Sequence, residues 1–156
     1  MNKIILLYLF LFGLLFSTNK AIVSEKKYAE VGIASIVEDG DNVIINIYSI
    51  NQIPIAGVEF DIMPNDLFSI DSLFGGICDN LGFELRSNKK GKLLAFSLKG
   101  TEIPKSISKK PQDNILFSAY GKKNKIFFNR VITLNTTLAS KLGTRINADV
   151  VPYIYK

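Results

Sequence analysis

Beyond residue 30 the apolar residues of this chain recur at every second position, and no stretch of twelve carries a helical stripe. A period of two puts alternate side chains on opposite faces of an extended strand, so a chain patterned this way builds sheets. The runs are short, and Gly, Pro, Asn, Asp or Lys breaks each of them. Strands are expected over 31–37, 42–50, 55–62, 67–70, 81–86, 93–98, 114–120, 126–134 and 145–151. About nine short strands separated by turn residues are the mark of an all-β sandwich or barrel. With 156 residues the chain has the length of one domain, and 47 % hydrophobic against 21 % charged residues argues against disorder and coiled coil.

The alternation also assigns faces. In 55–62, Ala56, Val58, Phe60 and Ile62 point one way and Glu59 and Asp61 the other, which describes a half-buried strand with a wet outer face. In 42–50 both faces are apolar, as in a central strand, and its antiparallel partner is expected to be 31–37 or 55–62. Glu38-Asp39-Gly40-Asp41 reads as a tight turn in which Gly40 takes positive φ. The expected core is Val58, Phe60, Ile62, Phe83, Leu94, Phe96, Leu98, Ile115, Phe117 and Val131, with Glu59, Asp61 and 122–125 exposed.

The N-terminus reads as an address. Met1 to Lys3 are positive, residues 4–16 carry no charge, and 17–21 are small and polar. Thirteen helical residues span about 20 Å, short of the roughly 30 Å hydrocarbon core, so residues 1–21 are expected to be a secretory signal peptide. The alternative is an uncleaved N-terminal anchor, since no clean A-x-A site is present. No cysteine follows the apolar run, which excludes a lipoprotein anchor. The folded domain is then expected over 30–154, outside the cell or in the periplasm, with membrane contact only through an uncleaved N-terminal segment.

The side-chain inventory narrows the chemistry. There is no histidine and one cysteine, Cys78, which removes Ser-His-Asp and Cys-His catalysis, His-based metal sites and any intramolecular disulfide. Glu59 and Asp61 emerge on one strand face about 7 Å apart. A glycosidase needs two carboxyls in different environments, whereas these two share one, so they read as a solvated or partner-contacting face. Glu38, Asp39 and Asp41 lack the spacing of a calcium loop and read as a hairpin turn. Cys78 reads as an inert thiol, or at most an intermolecular pairing site in an oxidising compartment, and not as a nucleophile. Asn135-Thr136-Thr137 is a glycosylation acceptor in a eukaryotic host. Tyr48, Tyr120, Tyr153 and Tyr155 are the candidates for an exposed sugar-stacking surface. The lysines at 89–92, 105–110 and 122–125 have no interleaved aromatics and read as solvated loop tips, not a nucleic-acid surface. No enzyme, metal or cofactor is expected.

Residues 55–62 (IAGVEFDI) followed by 63–70 (MPNDLFSI) resemble the third strand and following turn of cohesin domains. So do the strand ending in Asn51-x-x-Pro54, Gly82-Phe83 with Leu94-Ala95-Phe96-Ser97-Leu98, Gly100-Thr101-Glu102-Ile103-Pro104, 114–117, 125–131 and the closing strand 146–151. The resemblance covers 30–151 and departs at Met63, where cohesins usually carry Asp, and in the lysine-rich loop 101–113. It implies a nine-stranded antiparallel jelly-roll sandwich that binds a dockerin-like protein partner through one sheet face in extracellular polysaccharide-degrading assemblies. Carbohydrate-binding modules are similar in fold, which keeps polysaccharide binding as the alternative, beside a structural subunit of an extracellular assembly.

Overall fold

The computed structural model describes residues 25–124 and 129–155. The expected signal segment 1–21, the start of the expected strand 126–134, and Lys125 lie outside the described residues. Eleven strands follow in chain order: β1 (Ala29–Asp39), β2 (Asn42–Asn51), β3 (Gly57–Met63), β4 (Phe68–Phe74), β5 (Glu84–Ser87), β6 (Lys92–Phe96), β7 (Ile115–Lys123), β8 (Val131–Ala139), β9 (Arg145–Ile146), β10 (Ala148–Val151) and β11 (Tyr153–Ile154). A single helical turn, α1 (Gly76–Asn80), interrupts the path from β4 to β5, and a 3-10 turn (Pro111–Asn114) leads into β7.

Two sheets form a sandwich. One runs β10-β1-β2-β7-β4 and the other β11-β8-β3-β6-β5, with β9 on the same edge of β8 as β11. Each named strand pair is antiparallel except β1–β10, where Ala29 to Gly32 lie parallel to 148–151. The expected sandwich is therefore present, and β2 is central between β1 and β7. Gly40 and Asp41 make a two-residue hairpin loop between the paired residues Asp39 and Asn42, with Gly40 at φ +59° as a primed hairpin turn demands.

The core lies between the sheets. Val43, Ile45 and Ile47 from β2 and Phe117 and Ala119 from β7 meet Val58, Phe60 and Ile62 from β3 and Leu134 and Leu138 from β8, all buried. At the centre the Phe60 and Phe117 rings touch across the sandwich, centroids 6.1 Å apart and tilted 51°, a tilted contact that aromatic pairs favour.

The sequence expectation slipped on two strands and met a bulge on a third. In β6, Leu93 and Ala95 face the core, while Leu94 and Phe96 are half-buried on the outer side and Leu98 lies past the strand end, exposed. Cross-strand partners share a face, and Phe60 pairs with Leu93. A run of four apolar residues reads equally well in either parity, so pairing with β3 decides it. In β8, Ile132 and Leu134 point inward and Val131 is exposed, because Ile62 pairs with Leu134. In β7 the pairing skips from Phe117 to Ile115 against consecutive residues of β2, so Leu116 is an extra residue. Leu116 and Phe117 are both buried, and Ile115 is only half-buried. α1 rests on this bulge. Gly76 sits at φ +69°, and a Cβ there would come within 2.4 Å of the Leu116 carbonyl oxygen. The expected final strand 145–151 is divided into β9 and β10, which belong to different sheets.

Residues 97–110 form a long connection without helix, tied down by buried amides. Asn51 Nδ2 donates to the carbonyls of Ile53 (2.8 Å) and Pro104 (2.9 Å), and Asn51 Oδ1 accepts the Ser106 hydroxyl at 3.0 Å. Asn114 Nδ2 donates to the carbonyls of Ser108 (3.0 Å) and Lys110 (2.8 Å).

Three outcomes test this architecture. Phe60→Ala should lose about 3–5 kcal/mol in chemical denaturation, the range for truncating a fully buried aromatic. Asn51→Ala should lose about 1–3 kcal/mol by leaving buried carbonyls unpaired, and should raise proteolysis within 97–110 at native temperature. Cys78 is buried, and desolvation first, then the Asp79 charge, pushes its thiol up to about 12. A thiol reagent at neutral pH should therefore leave Cys78 unmodified until denaturant is added.

Candidate partner-binding face

β3 carries Glu59 and Asp61 on its outer side because the residues between and beside them are locked inward: Val58, Phe60 and Ile62 are buried. The expected outward orientation is present, but both residues are half-buried and not fully exposed, with side-chain exposures of 42 % for Glu59 and 30 % for Asp61. Both carboxylates converge on one cation. Lys92 Nζ, from the neighbouring strand β6, is 2.7 Å from Glu59 Oε1 and 3.7 Å from Asp61 Oδ2. The hydrogen bond to Glu59 raises the Lys92 ammonium above its ordinary pKa, with burial opposing and the charge of Asp61 reinforcing the shift. On the alkaline side the pair is therefore held through neutral pH and lost as pH rises through the raised lysine value.

The register places a second charge pair opposite. One transverse row reads Thr137, Glu59, Leu94, Arg86 across β8, β3, β6 and β5, and the next reads Ala139, Gly57, Phe96, Glu84. Arg86 Nη2 meets Glu84 Oε2 at 3.0 Å. With strands about 4.8 Å apart, the half-buried Leu94 and Phe96 form an apolar strip between two charged margins. Gly57 beside Phe96 leaves that flank of the ring low. At the far end of the face Asp61, Met63, Asn65, Asn88, Lys90 and Asn135 line an open groove of about 310 Å³.

Leu94, Phe96, Lys92 and Arg86 were absent from the sequence reading of this face. Lys92 shares the parity of Leu94 and Phe96, and a charged residue at that parity was the signal that the row faces outward.

The other candidates are scattered. Glu38 is held by Lys123 and by the Tyr155 hydroxyl, so it is not gathered with Asp39 and Asp41. Among the described residues no three His, Cys, Asp or Glu side chains come together as metal ligands. Tyr48, expected to be available at the surface, is buried under β1, where Gly32 leaves room for its ring, and it donates to Glu30 Oε1 at 2.9 Å. Asn135 pairs with Asp61 and is exposed on the candidate face.

No protein-family model and no curated protein matches the sequence. Solved structures do match in shape. A non-cellulosomal cohesin from the hyperthermophilic archaeon Archaeoglobus fulgidus superposes with a TM-score of 0.54 at 8 % identity, covering 83 % of this chain and 91 % of that one. The third ScaB cohesin of R. flavefaciens, solved in complex with a group 1 dockerin, gives 0.51 at 12 % identity, covering 80 % and 90 %. Similarity at such low identity is a matter of fold, and over most of its length this chain has the fold of cohesin domains.

Proposed function

We propose that this protein is an exported, non-catalytic binding module that engages a protein partner of the dockerin type through the outer face of the β11-β8-β3-β6-β5 sheet. The observation that carries the reading is the outward pair Leu94 and Phe96, bounded by Lys92 with its two carboxylates on one side and by the Arg86–Glu84 pair on the other. An apolar centre with a polar, charged margin is the anatomy of a protein interface. The dockerin bound to the R. flavefaciens cohesin supplies the partner class. The charged N-terminus and the uncharged residues 4–16 support export.

Two features weigh against catalysis. Glu59 and Asp61 share the same lysine, so their environments do not differ as an acid and a base require. Cys78 is buried as a thiol. Polysaccharide binding, the alternative, has less support on this face, where Phe96 is the one aromatic among the outward residues of β3, β5 and β6.

The test is capture of co-secreted proteins on the immobilised chain, followed by calorimetry with the protein retained. One dominant partner is expected. Phe96→Ala should weaken its binding by about 2 kcal/mol or more, as for a central aromatic anchor. Glu59→Lys with Asp61→Lys should cost about 2–5 kcal/mol, as for charged pairs desolvated at an interface. Retention on insoluble polysaccharide with no captured protein would transfer the function to the alternative, and capture unchanged in both variants would move the interface to the other sheet.

A further inference from the structure

The most exposed aliphatic side chains in the described structure stand together at one end of the sandwich. Ile107 is fully exposed, Leu142 is 90 % exposed and Leu98 is 78 % exposed, against 58 % for the next, Ile154. Leu98 follows β6 and Leu142 lies in the turn between β8 and β9. The ends of β6 and β8 flank the same residue, Gly57 at the start of β3. Ile107 is brought to that end by Asn51, the last residue of β2, through the bonds that fix Pro104 and Ser106.

Lysines ring these tips. Lys99, Lys105, Lys109, Lys110 and Lys141 are exposed, and the Lys141 side chain reaches Gly100. Between residues 97 and 114 four lysines face two carboxylates, Glu102 and Asp113, and Asp113 is engaged by the Ser108 hydroxyl at 2.6 Å. The chain enters β1 from this same end, since Ala29 pairs with Asn51. Residues 1–24, with their uncharged stretch 4–16, precede that point.

We infer that this end of the sandwich is a docking surface for an anionic lipid bilayer, separate from the sheet face. Lysines gathered beside a negatively charged leaflet supply attraction that decays within a Debye length, and apolar side chains entering the interface supply the remainder. The excess of lysine over carboxylate around the tips favours an anionic surface, and a fluid interface accepts Leu98 and Ile107 from the 97–110 connection and Leu142 from the β8–β9 turn without requiring them to match a partner's shape. The loop is built for the load. Connections of this length are uncommon in compact domains, and Asn51 and Asn114, two of the three buried polar residues among those described, hold this one in place.

The experiment uses the full chain carrying Ile107→Cys, Leu142→Cys or, at the opposite end, Asp41→Cys, each labelled with an environment-sensitive fluorophore. The buried Cys78 thiol, pushed up to about 12, leaves the introduced cysteine as the labelling site. With vesicles of equal phosphatidylcholine and phosphatidylglycerol, the labels at 107 and 142 should shift to the blue and be quenched by lipid-borne quenchers. The label at 41 should not respond, and phosphatidylcholine alone should give little shift at any position. Replacing Lys105 and Lys109 by Gln should lower partitioning about fivefold for each lysine. Equal response at 41 and 107 would mean that residues 1–24 tether the chain without this surface, and would overturn the inference. So would a shift that ignores phosphatidylglycerol, or a response to polyglutamate in place of lipid, which would assign the surface to an acidic protein.

Discussion

The contact between Phe60 and Phe117 at the middle of the sandwich is the constraint on which the rest hangs. One ring comes from each sheet, and both are wholly buried. In a strand the side chain's face is settled for every residue once it is settled for one. With Phe60 inward, Glu59 and Asp61 must face out, Leu93 must face in beside Phe60, and Lys92, Leu94 and Phe96 must share the outer surface with the two carboxylates. The composition of the proposed interface is therefore a corollary of core packing. Truncating Phe60 would loosen the element that holds the charged row in register, so a mutation invisible from the surface would reach the partner.

What could be read from the sequence follows the contrast between neighbouring residues. β3 alternates large apolar with charged side chains, and its faces were legible without a structure. β6 offers Leu93-Leu94-Ala95-Phe96, where hydrophobicity is nearly constant and parity carries little information. There the pairing with β3 decides, which is a tertiary fact. The bulge at Leu116 and the helical turn at Gly76–Asn80 are mutual accommodations between segments some forty residues apart, and neither segment announces the other. The role of Asn51 is likewise non-local, since its partners Pro104 and Ser106 come from a different loop. The candidate carboxylates were found from sequence, and the cation and apolar strip that make them a surface were not, because those belong to the strand whose parity was ambiguous.

The two proposed surfaces divide the molecule by construction. Side chains on a sheet face are fixed in rows by the pleat and by cross-strand register, which suits recognition of a partner with a shape of its own. Loop tips at the sandwich end have no register, and the structure compensates by anchoring the longest of them to buried amides. The proposed recognition face and the proposed docking end therefore use different parts of the sandwich.

The parallel pairing of β1 with β10 has a consequence for how the chain comes together. Ala29 finds its neighbour Ala148 only 119 positions later. A polypeptide that emerges N-terminus first, from a ribosome or a translocation pore, can close the β1–β2 hairpin early, yet must hold the outer edge of β1 open until residues 148–151 are free. Closing so distant a pair carries the loop entropy that makes such topologies slow to fold, and an open edge is a template for other chains in the interval. The edge is shielded last by a strand of four residues, so a chain cut before Ala148 would leave the outer edge of β1 unpaired and open to other chains.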